Sequence, residues 1–482
     1  MEGDDGYDDA EPLLLVPGDA DADVEYPPMP RASLGLVYFT SFLSSIQYAI
    51  LMPTVWEYVQ LCGGSKFFLG LVLSAFSLSQ TVFFPVLGRW SDARAMREPF
   101  FASFVLGTIG NSIYGMAGTF ASLGVMMAGR LVSGCGAANT GLVAAYIARA
   151  APPEQRTKLL GINQMVIFVG ILCGPAMSVL VYDVDYSYGR LVLDRRTMAG
   201  YLMTAMNLLA MLVFPLFFVE PRPQVAQKAP GALSEMAAWR LSLRRVFLER
   251  KGYFNLMITF IVAFEISALE AAITPITTDE YGWNAKQNSF LFAGIAGIAL
   301  AAVAVAIMLD KKPWTSPRGI VAGGFVTMSS SFVVAFVCAG GHRVPFYALC
   351  AFGSLFVGGV MMLPASNMAV YSTKIGEYGK GVFMGYAQIM QGTARIFGPL
   401  LAGASLHWST HWALFSVLAI VFCMGPLNFW RVWGAFHTDG EHGGADDSSA
   451  RVASVDVSQS PPVERMGSFE GTRSRHSRDI EA

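Results

Sequence analysis

The sequence predicts an all-α membrane protein with twelve transmembrane helices in two six-helix halves. Three observations carry this: an apolar composition, a series of apolar runs long enough to cross a bilayer, and an internal repeat. Of the 482 residues, 54% are hydrophobic and 14% charged, where a soluble domain carries about 25% charged residues. Helices that pack through small and flexible residues explain the 49 glycines, 24 methionines and 34 phenylalanines.

A crossing takes about 20 mostly apolar residues. Runs of that kind lie near 33–56, 67–89, 98–118, 120–149, 158–182 and 198–219, and again near 252–275, 286–309, 318–339, 344–372, 380–406 and 409–433. They divide the chain into an N-terminal bundle, 31–219, and a C-terminal bundle, 251–433. The long connection, 220–250, carries Pro221, Pro223, Pro230 and a basic stretch at Arg240, Arg244 and Arg245, and reads as a cytosolic linker. Connections after even-numbered helices hold about 18 Lys and Arg against about 6 after odd-numbered ones, so the positive-inside rule places both termini in the cytosol.

The halves overlay at an offset of about 222 residues, as duplicated transporters do. Pro53, read as ending the first helix, meets Pro275. Gly161-Ile-Asn-Gln164 leading to Gly174-Pro175 meets Gly385-Tyr-Ala-Gln388 leading to Gly398-Pro399, and Asp92 corresponds to Asp310. Pro53, Pro175, Pro275 and Pro399 are the candidate helix bends. The connection after helix 2, Gly88-Arg-Trp-Ser-Asp92-Ala-Arg94-Ala-Met-Arg97, resembles the major facilitator signature. With Asp310 it is the candidate conformational latch, an Asp that accepts helix N–H groups and pairs with arginines. Arg130 followed by Gly134 and Gly136, and Gly170-x-x-x-Gly174-Pro175, resemble further motifs of that superfamily in the right order.

An ionisable side chain in mid-bilayer costs roughly 2.5–3.5 kcal/mol on insertion scales, so it faces a cavity or a partner. Four stand out: Arg130, Glu265, Glu270 and Arg395. Glu265 and Glu270 are separated by about 140° around one helix, so both cannot point into one cavity. Glu270, about one and a half turns before Pro275, is the cavity candidate and can take up a proton in an acidic lumen; Glu265 reads as structural. Arg130 and Arg395 supply positive potential for an anion, and Gln164 and Gln388 join the pathway candidates by their symmetry. Gln391 and the intramembrane asparagines read as interhelical glue.

Asp9-Ala-Glu-Pro-Leu13-Leu14 fits an acidic dileucine sorting signal for clathrin adaptor proteins, on an N-tail (1–30) too acidic and proline-rich to fold. Tyr26-Pro-Pro-Met29 resembles a second such peptide. The polar stretch 434–482 reads as a disordered cytosolic C-tail. The six cysteines have no metal-ligand spacing, no basic nucleic-acid stripe exists, and no nucleophile with its base appears. The sequence therefore predicts a non-enzymatic monomer without cofactor, metal or nucleic-acid partner.

Arg97-Glu-Pro-Phe100, Ala268-Leu-Glu270 leading to Ile273-Thr-Pro-Ile276 and Tyr281-Gly-Trp283, Gly381-Val-Phe-Met-Gly385 and Ala394-Arg-Ile-Phe-Gly-Pro399 are similar to the lysosomal major facilitator superfamily domain-containing protein 8 family, associated with neuronal ceroid lipofuscinosis type 7. The resemblance implies the major facilitator fold, residence in late endosomes and lysosomes, and chloride permeation, with Glu270 and Arg395 matching the family pattern and Glu265 not. The connection between helices 9 and 10 is shorter than in that family and offers no lumenal Asn-x-Ser/Thr acceptor. The leading expectation is a lysosomal chloride pathway of ion-channel type. A proton-coupled carrier exporting a small organic solute, and a non-transporting scaffold, remain alternatives.

Overall fold

A computed structural model describes residues 30–180, 182–188, 191–221, 250–310, 317–338, 345–372, 377–408, 414–427 and 430. The N-terminal half contains α1 (Arg31–Ala49), α2 (Val55–Leu61), α3 (Lys66–Ala93), α4 (Arg97–Phe120), α5 (Leu123–Ala137), α6 (Asn139–Ala150), α7 (Pro153–Leu180) and α8 (Met198–Phe217). A two-stranded antiparallel hairpin, β1 (Asp185–Tyr188) and β2 (Leu191–Asp194), joins α7 to α8. The C-terminal half contains α9 (Arg250–Tyr281), α10 (Ala285–Asp310), α11 (Pro317–Cys338), α12 (Phe346–Ser372), α13 (Glu377–Trp408) and α14 (Leu414–Leu427).

Local chemistry sets several helix starts. The Ser65 hydroxyl accepts the Phe68 N–H at 3.3 Å and opens α3, and Ser122 accepts the Val125 N–H at 3.4 Å and opens α5. Among the described residues, 8 helical stretches are long and apolar enough to cross a membrane, five in the first half and three in the second. Shorter apolar stretches occur in α11 and α14. α1 falls below that apolarity because it carries Ser33, Ser41, Ser44, Ser45 and Gln47, all buried against the rest of the protein. Polar side chains turned inward do not meet lipid, which explains why hydropathy alone undercounts this helix.

The duplicated sequence becomes duplicated packing. A Cβ on Gly174 of α7 would lie 2.7 Å from Ala49 Cβ on α1, and one on Gly398 of α13 would lie 2.8 Å from the Phe264 carbonyl oxygen on α9. The same small residue thus seats each half's fifth span on its first. The N-terminal half adds an aromatic core in which Phe214 stacks on Phe218 at 4.5 Å and meets Phe100 at 5.1 Å.

Three details differ from the sequence expectation. Pro275 does not end its helix, since α9 runs on to Tyr281; neighbouring helices accommodate the missing N–H. The fourth predicted span is broken at Ala138 into α5 and α6, and the connection after the fifth is the β1–β2 hairpin.

The halves are tied together at the hairpin end. Lys66 pairs with Asp279, Glu57 accepts the Ala285 N–H at 2.7 Å and bonds Arg195 at 2.9 Å, and Ser178 and Ser289 share a hydrogen bond of 2.9 Å. At the opposite end the described ion pairs, Asp92–Arg149, Arg94–Glu98 and Arg97–Glu220, all stay within the N-terminal half.

Candidate functional site

Where the halves meet in mid-membrane, five side chains from five helices form a continuous array. Arg130 of α5 is fully buried, and its guanidinium lies over the Phe76 ring of α3 at 4.1 Å. Phe76 meets Tyr48 of α1 at 6.0 Å between ring centroids, and the Arg395 guanidinium of α13 stands 5.2 Å from the Tyr48 ring on its other flank. The Tyr48 hydroxyl donates to Glu270 Oε2 of α9 at 2.8 Å. Arg130, Arg395 and Glu270 are thus brought together through two aromatic rings.

Tyr48 and Glu270 belong to α1 and α9, the first helix of each half. Helices related by a two-fold axis touch only close to that axis, so this hydrogen bond lies near the pseudo-symmetry axis that relates α1 to α9. It also spans the joint about which two halves would rock.

Glu270 and Arg395 line a cavity of about 730 Å³ bounded by α1, α7, α9, α10, α12 and α13. Among the described residues they are its only formally charged side chains; Thr277, Gln287, Ser354 and Gln391 add polarity, and the rest of the described wall is aliphatic, aromatic or small. Arg130 does not line this space. Its three side-chain nitrogens have no hydrogen-bond partner among the described residues, and the Phe76 face is the group that meets its charge.

The other sequence candidates are dispersed. Gln164 is half-buried and Gln388 exposed, neither on the cavity wall, whereas Gln391 lines it. Glu265 is fully buried, away from the cavity, with both oxygens unpartnered among the described residues. In the latch segment Asp92 pairs with Arg149 rather than Arg94 or Arg97. Arg149 also donates to the Ser91 carbonyl at 2.7 Å. A Cβ on Gly88 would meet nothing within 4 Å, and α10 ends at Asp310, whose side chain lies outside the described residues. Pro53 sits in the turn between α1 and α2, while Pro175, Pro275 and Pro399 lie inside α7, α9 and α13. The sorting-signal residues Asp9, Leu13 and Leu14, the linker residues 222–249 and the C-tail lie outside the described residues.

Two bundles meeting at a charged mid-membrane site define a membrane transport protein. The Major Facilitator Superfamily model matches residues 37–399, and the chain belongs to that superfamily. It is 24% identical over 455 residues to major facilitator superfamily domain-containing protein 8 of Xenopus laevis, covering 81% of this chain and 88% of that protein. It is also 24% identical to the class D tetracycline resistance protein of Salmonella ordonez, over 69% of this chain and 78% of the relative. Among solved structures it resembles a bacterial homolog of the human lysosomal transporter Spinster, inward-facing and unoccupied (TM-score 0.67, 13% identity, 86% of this chain and 99% of that one). The human organic anion transporter MFSD10 gives a TM-score of 0.59 at 18% identity, over 84% and 100% of the two chains.

Proposed function

We propose that the chain is a proton-coupled carrier that exports a small organic anion from lysosomes or late endosomes, with Arg395 binding the anion and Glu270 the proton. The observation that carries this reading is the cavity of about 730 Å³ with one guanidinium and one carboxyl facing it. Clefts of about 300–1,000 Å³ accept drug-sized ligands, so the space is far larger than a single halide requires.

The two charges explain coupling. While Glu270 is ionised, its negative charge opposes an incoming anion beside Arg395. A proton on Glu270 removes that opposition and changes the Tyr48 hydrogen bond, so proton and anion load together and the joint between the halves is altered in the same step. One solved neighbour, human MFSD10, is an organic anion transporter, which is in keeping with this class of solute. A chloride pathway is the second reading. It is favoured by Arg395, which has its Tyr48 ring contact but no hydrogen bond or ion pair among the described residues.

Vesicles containing the purified full chain test both. With acid on the loading side, uptake of an organic anion should saturate and accelerate, and Arg395→Ala should abolish it. Glu270→Gln, fixed in the uncharged form, should retain anion exchange but lose accumulation driven by the pH gradient. Chloride conductance that persists without any organic-anion uptake would favour the second reading. For the organellar address, replacing Leu13 and Leu14 by Ala should move the protein to the cell surface by fluorescence microscopy.

A further inference from the structure

We propose that the cavity binds a single-chain amphipathic anion, its acidic head at Arg395 and its hydrocarbon chain along α10, entering from the bilayer through the gap between α7 and α10. This deepens the carrier reading and rests on it.

The lining is the first ground. Apart from the Glu270–Arg395 wall the cavity is almost entirely apolar, with Phe292, Phe352 and Phe356 among its side chains. Apolar space of this kind is poorly hydrated and stabilises hydrocarbon over water. A small hydrophilic anion would satisfy Arg395 and leave most of the space unfilled.

Shape is the second. On α10 the lining extends from Gln287 to Val303, a rise of about 24 Å at 1.5 Å per residue. By residue count Glu270 on antiparallel α9 stands opposite the middle of that stretch. The space is therefore elongated, with its charges on one side wall, and an extended chain with one charged end matches it.

The third ground is the mouth. Met165 and Val169 of α7 and Phe290 and Leu300 of α10 line the cavity and are 51%, 43%, 59% and 52% exposed. A rim of exposed apolar side chains at membrane depth is compatible with acyl chains. Trp283 and Phe346, 5.5 Å apart, line the hairpin end of the same space, at the level where aromatic residues favour the membrane interface.

Two glycines supply a clean way to block the site. Gly294 and Gly353 both line the cavity, and a Cβ on either would meet nothing within 4 Å. A large side chain there fills the cavity without displacing the backbone.

The test uses the full chain in phosphatidylcholine vesicles with dodecyl phosphate carrying a photoreactive group on its chain. Irradiation should label peptides of α7, α10 and α12, and Arg395→Gln and Gly294→Phe should each lower that label at least tenfold. Gly294→Phe keeps the inference testable if Arg395→Gln fails to fold. Excess butyl phosphate should not compete. Equal labelling by the matching photoreactive alcohol, or labelling indifferent to both variants, would mean surrounding lipid only and would overturn the inference. Competition by butyl phosphate as effective as by dodecyl phosphate would overturn it too, while leaving the carrier reading intact. Normal labelling with no proton-driven uptake of any anion would sink the carrier reading and support the site.

Discussion

Two seams join the halves, related by the same internal repeat, and they are built differently. Between α3 and α13 the backbones touch: a Cβ on Gly70 would lie 2.4 Å from the Pro399 carbonyl oxygen, and one on Gly403 would lie 2.7 Å from the Lys66 carbonyl oxygen. The Ser74 hydroxyl adds a bond to the Ile396 carbonyl at 2.6 Å. Between α7 and α10 the only side-chain hydrogen bond among the described residues is Ser178–Ser289 near the hairpin end, and Gly294 and Gly297 of α10 face open space. On α10, Phe292 lines the cavity. Small residues let helices close in membranes, where no hydrophobic effect drives them together. Close backbone contact at Gly70 and Gly403 makes one seam a sealed joint, and open space at Gly294 and Gly297 leaves the other as the wall of a binding space.

The strongest way to break that contrast is to enlarge both glycines. Gly70→Leu must displace the α13 backbone, and overpacking of this kind costs about 1–3 kcal/mol or more. Gly294→Leu has room and should shift stability by under about 0.5 kcal/mol. Thermal unfolding of the two purified variants compares them directly, and equal effects would remove the distinction between the seams. A smaller effect is expected on the axis between the seams. Tyr48→Phe leaves the Glu270 carboxyl without its donor, which costs about 1–3 kcal/mol. A double-mutant cycle with Glu270→Gln should return a coupling of about 0.5–3 kcal/mol; zero coupling would mean that the bond does not tie the halves.

Much of the architecture was legible because membranes impose coarse rules. Apolar run length gave most of the helices to within a few residues, and the repeat around Gly174 and Gly398 reappears as equivalent packing. Glu270 and Arg395 were conspicuous because charge is costly in an apolar run. Tyr48 was not, since a tyrosine in such a run is ordinary. Gln388 drew notice by symmetry, yet Gln391, one helical turn further on, faces the cavity. Symmetry fixes a position along a helix, while the direction in which a side chain points depends on how neighbouring helices rotate and tilt. The cavity itself was hidden for the same reason: it depends on α10 standing away from α9, which no local pattern encodes.

The smallest expected effect concerns the end at which both seams are tied. Lys66 and Asp279 are 27% and 46% exposed, so their pair contributes only about 0.2–1 kcal/mol. Because alternating states differ by a few kcal/mol at most, such a loss still shifts their populations. Cys62 reports the shift, since it lies in the turn between α2 and α3, four residues before Lys66. Burial pushes its thiol up, partly opposed by Arg196, and the thiolate is the reacting form. Maleimide labelling of Cys62, read by peptide mapping, should therefore be slow near neutral pH and rise steeply as pH increases. Lys66→Ala should open this end, relieve the burial and raise the neutral-pH rate a few-fold. The reversed pair, Lys66→Asp with Asp279→Lys, should restore the slow rate. A rate unchanged by Lys66→Ala would mean that the α3–α13 seam and the Glu57–Ala285 and Ser178–Ser289 hydrogen bonds keep this end shut, with the ion pair contributing nothing to the closure.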